Sequence, residues 1–105
     1  MTRGEIYRVR LPARRGHEQA GTRYAVIVQA DELLGLSTVI VAPTSRSAAA
    51  TSFRPEIELD GSITRILVEQ LRTLDVERLD ELVGRLNATE QRAVDEALTL
   101  VLDLT

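Results

Sequence analysis

The chain has 105 residues, a net charge of −3 and no cysteine, and a chain of this length usually forms one domain. The absence of cysteine excludes disulfide frameworks, thiolate metal sites and cysteine nucleophiles, and it favours a reducing cytoplasm. No apolar stretch reaches the roughly 18 residues that cross a bilayer, and the first residues lack the apolar core of a signal peptide. We therefore expect a single cytoplasmic domain over residues 1–105, with no membrane anchor.

The net charge hides an uneven distribution. Residues 1–54 carry eight Arg and four acidic residues, hence +4, whereas residues 55–105 carry five Arg and twelve acidic residues, hence −7. Proteins that bind phosphate groups usually present excess positive charge. The first half of the chain is therefore the part suited to nucleic acid.

Alternating and continuous apolar runs predict short β-strands along most of the chain. In the first strand Ile6 and Arg8 face one side and Tyr7 faces the other. Pro12 and Pro43 are expected to end the first and third strands, because proline cannot donate to a β-ladder. The predicted strands cover residues 4–11, 24–30, 37–42, 54–59, 63–71 and 82–86.

The segments between these strands carry turn signals. Residues 13–22 are polar and contain two glycines, which is typical of an exposed hairpin loop. Residues 44–52 are small and polar without a periodic apolar face, so we expect a mobile loop there. The pair Asp60 and Gly61 predicts a tight turn, and Asp75 is a candidate cap for one helical turn.

The last segment has the features of an α-helix. Asn87, followed three residues later by Glu90, has the spacing of a capping box. Apolar side chains then recur at helical spacing and must be buried on one side: Val94, Ala97, Leu98, Val101 and Leu102. The sequence therefore predicts an α+β fold, mainly β, in which five or six short strands curl into a small barrel with a C-terminal helix against it.

Polar side chains in three segments are candidates for a functional site. The segments are residues 16–23, residues 44–46 and the pair Glu69 and Gln70. Arg23 is the best candidate, because it stands where an exposed loop enters a buried strand and a rigid element can fix its guanidinium group. The alternative is an ordinary solvent-exposed arginine.

Thr44 is the second candidate, because it comes at the end of an apolar strand where a hydroxyl group is held firmly and can face an open loop. A threonine in this position often bonds its own backbone instead, and the sequence leaves that alternative open. His17 is the only histidine of the chain, so catalysis by two histidines as acid and base is excluded.

The sequence offers little for a metal ion or a nucleotide cofactor. The acidic residues within 75–81 and at 95–96 lie around predicted helical segments, without a histidine partner or a glycine-punctuated calcium loop. Glycine-rich phosphate loops and the Gly-x-Ser-x-Gly motif of serine hydrolases are absent as well. We expect no cofactor and no metal.

Several segments, taken in order, resemble the MazF/PemK toxins. They are RGEIY at 3–7, GHEQAGTR at 16–23, VAPTS at 41–45, VEQLR at 68–72 and ALTLVL at 97–102. In that family the first strand usually reads Arg-Gly-Glu-Ile-Trp, the loop Gly-Ser-Glu-Gln-x-Gly-x-Arg, and the third strand ends in Thr-Thr or Thr-Ser. The match covers nearly the whole chain, and its specificity lies in the ordered set.

The resemblance implies an SH3-like barrel of the kind shared with CcdB-type toxins, a homodimer, and a cognate MazE-like antitoxin. It also implies metal-independent cleavage of single-stranded RNA that leaves a 2′,3′-cyclic phosphate and a 5′-hydroxyl, with catalysis assigned to Arg23 and Thr44. The ribose 2′-hydroxyl is then the nucleophile, so the protein has only to orient it and stabilise charge. On this interpretation Arg23 bonds the transition state and Thr44 donates to a phosphate oxygen.

Substrate contacts are expected from the same three segments. The candidate substrate-binding residues are His17, Glu18, Gln19, Tyr24, Ser45, Arg46, Glu69 and Gln70. Three residues depart from the family pattern: Tyr24 replaces a proline, His17 replaces a serine, and Arg10 stands where many members carry an acid. Tyr24 is either a stacking partner for an unpaired base or part of the core.

Two other functions stay open on the sequence. A CcdB-like toxin has the same fold and binds DNA gyrase instead of cutting RNA, although the retained Arg23 and Thr44 argue against it. A catalytically silent barrel that only binds a partner is the second alternative. On the nuclease interpretation, a basic groove that accepts RNA would also accept an acidic, largely unfolded antitoxin tail.

Overall fold

The computed structural model describes residues 1–12, 16 and 21–104, and this part of the chain forms seven β-strands, three short 3₁₀ turns and one α-helix. The strands are β1 (Glu5–Leu11), β2 (Gly21–Ile27), β3 (Thr38–Ser45), β4 (Glu56–Leu59), β5 (Ser62–Ile66), β6 (Arg72–Asp75) and β7 (Leu79–Arg85). The turns cover Asp31–Leu33, Val68–Gln70 and Val76–Arg78, and α1 covers Ala88–Leu102.

The strands form one antiparallel sheet that curls into a half-barrel, in the order β4-β5-β3-β2-β1-β7. On one side β3 pairs with β2, and on the other side its first half pairs with β6 and its last two residues with β5. The long third strand thereby carries Thr44 and Ser45 to the place where β2, β3 and β5 meet. The predicted fold, mainly β with a C-terminal helix, is confirmed.

Alternation of side chains divides the interior into two clusters on opposite faces of the sheet. Ile6, Val26 and Ala42 lie on the face that packs against α1. Val9 and Val41 lie on the other face, with the remaining apolar residues of β1, β2, β3 and β6. The near-continuous apolar run of β2 is therefore explained, because this strand is buried on both faces.

The C-terminal helix begins as the sequence predicts. The side chain of Asn87 accepts a hydrogen bond from the backbone N–H of Glu90 at 2.8 Å, and the carboxylate of Glu90 accepts one from the backbone N–H of Asn87 at 2.9 Å. Val94 and Ala97 are buried in the cluster beneath the helix. Leu102, which was also expected to be buried, is 48% exposed because it stands at the last turn.

The prediction that Pro43 ends the third strand is wrong, since β3 continues to Ser45. The carbonyl of Pro43 accepts a hydrogen bond from Leu67 at 2.8 Å, so the nitrogen of Pro43 faces the same side. That side faces the gap between β6 and β5, where no strand pairs with residue 43, so its missing backbone N–H costs no hydrogen bond of the sheet. Proline is tolerated there, and the strand delivers Thr44 to the site.

Other strand boundaries also differ from the sequence interpretation. The single strand expected over 63–71 is divided, because a 3₁₀ turn at Val68–Gln70 separates β5 from β6. The Asp60 and Gly61 turn is confirmed, with φ of 53° and 74°, the signs that a two-residue hairpin turn requires. Asp75 is confirmed as a cap, since its side chain accepts from the N–H of Glu77 at 2.9 Å. Among the described residues, no helix is both long and apolar enough to span a membrane.

Candidate functional site

An open cleft of about 400 Å³ lies where β2 and the end of β3 meet the β4–β5 hairpin. This volume is within the range of clefts that accept small ligands or parts of larger ones. Its lining residues come from β2, from the end of β3 with the segment that follows, and from the hairpin: Thr22, Arg23, Tyr24, Thr44, Ser45, Arg46, Ser47, Leu59 and Thr64. Two of the three polar segments singled out in the sequence thus converge on one cleft.

Thr44 is fixed at the back of this cleft. It is 4% exposed, its backbone pairs with Ile66 of β5, and its Oγ1 donates a hydrogen bond to the carbonyl of Tyr24 at 3.0 Å. The partner belongs to another strand, so the alternative that Thr44 bonds its own local backbone is wrong. Because a carbonyl oxygen can only accept, the hydroxyl proton of Thr44 is directed at Tyr24, and lone pairs of Oγ1 remain as acceptors.

Tyr24 joins β2 to the hairpin across the cleft. Its hydroxyl group donates to Asp60 Oδ2 at 3.2 Å, and its ring packs partly against the cluster under α1. The ring is half-buried and also lines the cleft. Tyr24 is thus partly in the core, and the part of its ring that lines the cleft leaves stacking on an unpaired base as a prediction.

The positive charge of the cleft comes from Arg23 and Arg46, which are both exposed. Arg23 stands on β2, where its backbone pairs with Val9 of β1, and Arg46 follows the last residue of β3. Guanidinium groups carry a fixed charge near neutral pH and form forked bonds with phosphate oxygens. The cleft thus combines two cations with a buried hydroxyl group, a set suited to a phosphodiester.

A network of side chains holds the segment between β3 and β4. Arg54 bonds Glu69 Oε2 through Nε at 3.0 Å and through Nη2 at 2.6 Å, and its Nη1 donates to the carbonyl of Ala49. The hydrogen bond with Glu69 raises the pKa of the Arg54 guanidinium above its ordinary value. Arg65 donates to the carbonyl of Ala48 at 2.9 Å. The loop predicted over residues 44–52 begins only at residue 46, because Thr44 and Ser45 belong to β3, and these bonds tie it to β5 and to the Val68–Gln70 turn.

The predicted site residues fall into three groups. The cleft brings together Arg23, Tyr24, Thr44, Ser45 and Arg46. Glu69 and Gln70 do not line the cleft, and Glu69 is engaged by Arg54 as described above. His17, Glu18 and Gln19 lie outside the described residues.

Sequence reasoning gave no individual role to four lining residues, which are Thr22, Ser47, Leu59 and Thr64. A signal existed for Thr64, which is a polar residue at an inward position of β5 and is 4% exposed. Strand alternation places it beside the inward Ile66, and β5 pairing places it near the end of β3. Nothing in the sequence indicated that Leu59 of the neighbouring strand would reach the same cleft.

Comparisons with known proteins bear on the family and the fold of the chain. A family described as PemK-like, MazF-like toxin of type II toxin-antitoxin system matches residues 2–102. The endoribonuclease MazF9 of Mycobacterium tuberculosis (strain ATCC 25618 / H37Rv) is 38% identical over 117 residues, which cover 99% of this chain and 98% of the relative.

Solved structures show the same fold at lower identity. MazF from Deinococcus radiodurans has a TM-score of 0.85 and 22% identity, over 98% of this chain and 96% of that one. An endoribonuclease from a mycobacterial species, in complex with its cognate antitoxin, has a TM-score of 0.83 and 17% identity, over 100% and 97% of the two chains.

Proposed function

This chain belongs to the family of PemK-like, MazF-like toxins of type II toxin–antitoxin systems, and on that premise we propose that it is an endoribonuclease that cleaves single-stranded RNA in the cytoplasm without a metal ion. The observation that carries the proposal is the cleft in which Arg23 and Arg46 stand beside the buried hydroxyl group of Thr44. The two arginines supply positive charge that can bind a phosphodiester, and the hydroxyl group is a fixed polar atom that can bind the ribose.

The reaction is an attack by the substrate's own 2′-hydroxyl group on the adjacent phosphorus. The O2′–P bond forms, the P–O5′ bond breaks, and the products end in a 2′,3′-cyclic phosphate and a 5′-hydroxyl. The 2′-hydroxyl group loses its proton and O5′ gains one, so no oxidant or external nucleophile takes part. The protein has to align the attacking oxygen and stabilise the charge on the phosphorane.

Thr44 acts in this reaction as a hydrogen-bond acceptor. The sequence interpretation had it donate to a phosphate oxygen, but its single proton is directed at the carbonyl of Tyr24. Oγ1 therefore offers a lone pair to the ribose 2′-hydroxyl group and holds that nucleophile in line. Since Thr44 keeps its own proton, the base is another group, and His17, Glu18 and water are the candidates.

Arg23 stabilises the transition state. Its guanidinium group forms charge-assisted bonds with the non-bridging oxygens as negative charge accumulates on them. Arg46, which also lines the cleft, contacts the same phosphate or the next one along the strand. Tyr24 offers its ring face to an unpaired base, and its bond to Asp60 keeps the ring in place.

A substrate with a single 2′-deoxy nucleotide tests this chemistry. We expect the protein to cut a single-stranded RNA at a defined position in EDTA, and to leave the strand intact when only the nucleotide 5′ to that position lacks its 2′-hydroxyl group. Deoxy substitution elsewhere is the control and should leave the strand cleavable. Cleavage of the deoxy strand at an unchanged rate would contradict the mechanism, and intact RNA with folded protein would favour gyrase binding or a silent barrel.

We further propose that the chain acts as a homodimer and is inhibited by a cognate antitoxin with an acidic, largely unfolded segment. The exposed Arg23 and Arg46 would bind such a segment as they bind phosphate, so antitoxin and RNA would compete. The mycobacterial neighbour was solved with its cognate antitoxin. Light scattering should give twice the chain mass, and excess RNA should displace an acidic antitoxin peptide. Additive binding of the two would refute the competition.

A further inference from the structure

We infer that Arg54 and Glu69 are a positioning pair, which holds the segment 46–53 in the conformation that presents Arg46 to the substrate. The inference rests on the proposed function and deepens it. It also gives Glu69 a different role from the substrate contact expected from the sequence.

The segment has little conformational preference of its own. Residues 46–52 read Arg-Ser-Ala-Ala-Ala-Thr-Ser, with no apolar face to bury, and the structure assigns no helix or strand to them. Such a segment takes its conformation from bonds made to it by the rest of the molecule. The position of Arg46 at the cleft therefore depends on where these bonds are anchored.

Arg54 joins the segment to the turn that carries Glu69. Nε and Nη2, on one edge of its guanidinium group, both donate to Glu69 Oε2, and Nη1 donates to the carbonyl of Ala49 at 3.0 Å. Glu69 stands on the turn whose Val68 is fully buried in the cluster under α1. The Arg54 and Glu69 side chains are only 19% and 25% exposed, so solvent screens the pair less than a surface ion pair.

A second set of bonds acts on the neighbouring residue. Arg65 donates to the carbonyl of Ala48 at 2.9 Å and pairs with Glu56 at 3.0 Å. The N–H of Ala48 donates to Ser45 Oγ at 3.2 Å. Ala48 is thus bonded by Arg65 and Ser45, and Ala49 is bonded by Arg54. The two alanines lie two and three residues after Arg46.

Glu69 is unsuited to contact RNA directly. Its Oε2 is taken by Arg54, and its Oε1 is buried and has no hydrogen-bond partner among the described residues. A carboxylate would also repel a phosphate group. Its charge serves instead to fix Arg54, and through Arg54 the loop.

The test is Glu69→Gln, which keeps the shape of the side chain and removes its charge. We expect the KM for a short RNA to rise about tenfold, as when one charge-assisted phosphate contact is no longer positioned, while kcat stays within about twofold. Amides of residues 46–52 should exchange faster, with those of β2 unchanged. Glu69→Asp, which keeps the charge, should give a KM between those of Glu69→Gln and the wild type.

The matched control is Asp95→Asn, which removes an ion pair of similar length, Arg3 to Asp95 at 2.9 Å, on the α1 side of the molecule. It should leave both kinetic constants unchanged. Wild-type kinetics in folded Glu69→Gln would overturn the inference while leaving the nuclease proposal intact.

Two further outcomes separate the positioning claim from the proposed function and from a failure of the variant to fold. If the wild type cleaves no RNA, the proposed function fails, and unchanged exchange over residues 46–52 in Glu69→Gln would overturn the positioning claim separately. If Glu69→Gln does not fold, Arg54→Lys replaces it, because one ammonium group cannot hold Glu69 and the Ala49 carbonyl in the same fork. The same rise in KM is then expected, and its absence overturns the inference.

Discussion

Replacing Thr44 by Val should separate the stability of the protein from its activity. Valine nearly matches the volume of threonine, so the buried site, which is 4% exposed, gains no cavity. The change removes one hydrogen bond, from Oγ1 to the carbonyl of Tyr24 at 3.0 Å, which contributes about 1 kcal/mol to stability. For a domain of this size that corresponds to a fall in Tm of roughly 4–8 °C.

The expected loss of activity is much larger. If Thr44 orients the nucleophile, removing its acceptor oxygen should lower kcat by a factor on the order of 100 to 1000, about 2.7–4 kcal/mol of transition-state stabilisation. Single-turnover cleavage of a labelled RNA measures this at a temperature where circular dichroism shows the variant folded. Thr44→Ser keeps the oxygen and should remain within about tenfold of the wild type. A folded Thr44→Val with near wild-type kcat would refute the role of this hydroxyl group.

Three other changes test the framework that holds the site. Gly4 has φ of +91°, and an added Cβ would lie 2.6 Å from a side-chain oxygen. Gly4→Ala should therefore lower the free energy of unfolding, measured in urea, by about 1–3 kcal/mol. Gly84→Ala is the control, because its Cβ would make only ordinary contacts, and it should cost less than half as much. Asn87→Ala removes the helix cap and should cost about 1 kcal/mol by the same measurement, and no change would contradict the capping role. Burial and the hydrogen bond to Glu5 raise the pKa of Tyr7 above its ordinary value of 10.0; the folded protein therefore keeps this proton more tightly, and stability should fall as pH rises above about 10, a fall that Tyr7→Phe should reduce.

The helix and the central strand could be predicted from the sequence because their signals are local. The capping box at Asn87 is complete within four residues, and β2 is apolar on both faces because both faces are buried. Pro43 shows the limit of this reasoning. Whether a proline ends a strand depends on which strands lie on each side of it, and that information is in the pairing of β3 with β5 and β6.

The candidate site was partly predictable for the same reason. Arg23, Thr44 and Arg46 were singled out because the sequence places each of them near a predicted boundary between strand and loop, although Arg23 and Thr44 lie within β2 and β3. The bond from Thr44 to Tyr24 joins residues that are 20 positions apart, and the pair of Arg54 and Glu69 spans 15. No local pattern encodes these contacts, so the proposals that the hydroxyl group is an acceptor and that Glu69 acts indirectly rest on the structure and not on the sequence.

The most direct test of the account is cleavage of a long single-stranded RNA in EDTA by the wild type, Arg23→Ala and Arg92→Ala, with the product ends identified. Arg92 is an exposed arginine on α1 that does not line the cleft, so it controls for the loss of one positive charge. We expect cyclic-phosphate ends from the wild type and Arg92→Ala, and a rate at least about 100-fold lower for Arg23→Ala. Equal cleavage by all three proteins, or intact RNA with folded wild type, would contradict the assignment of an endoribonuclease site to this cleft.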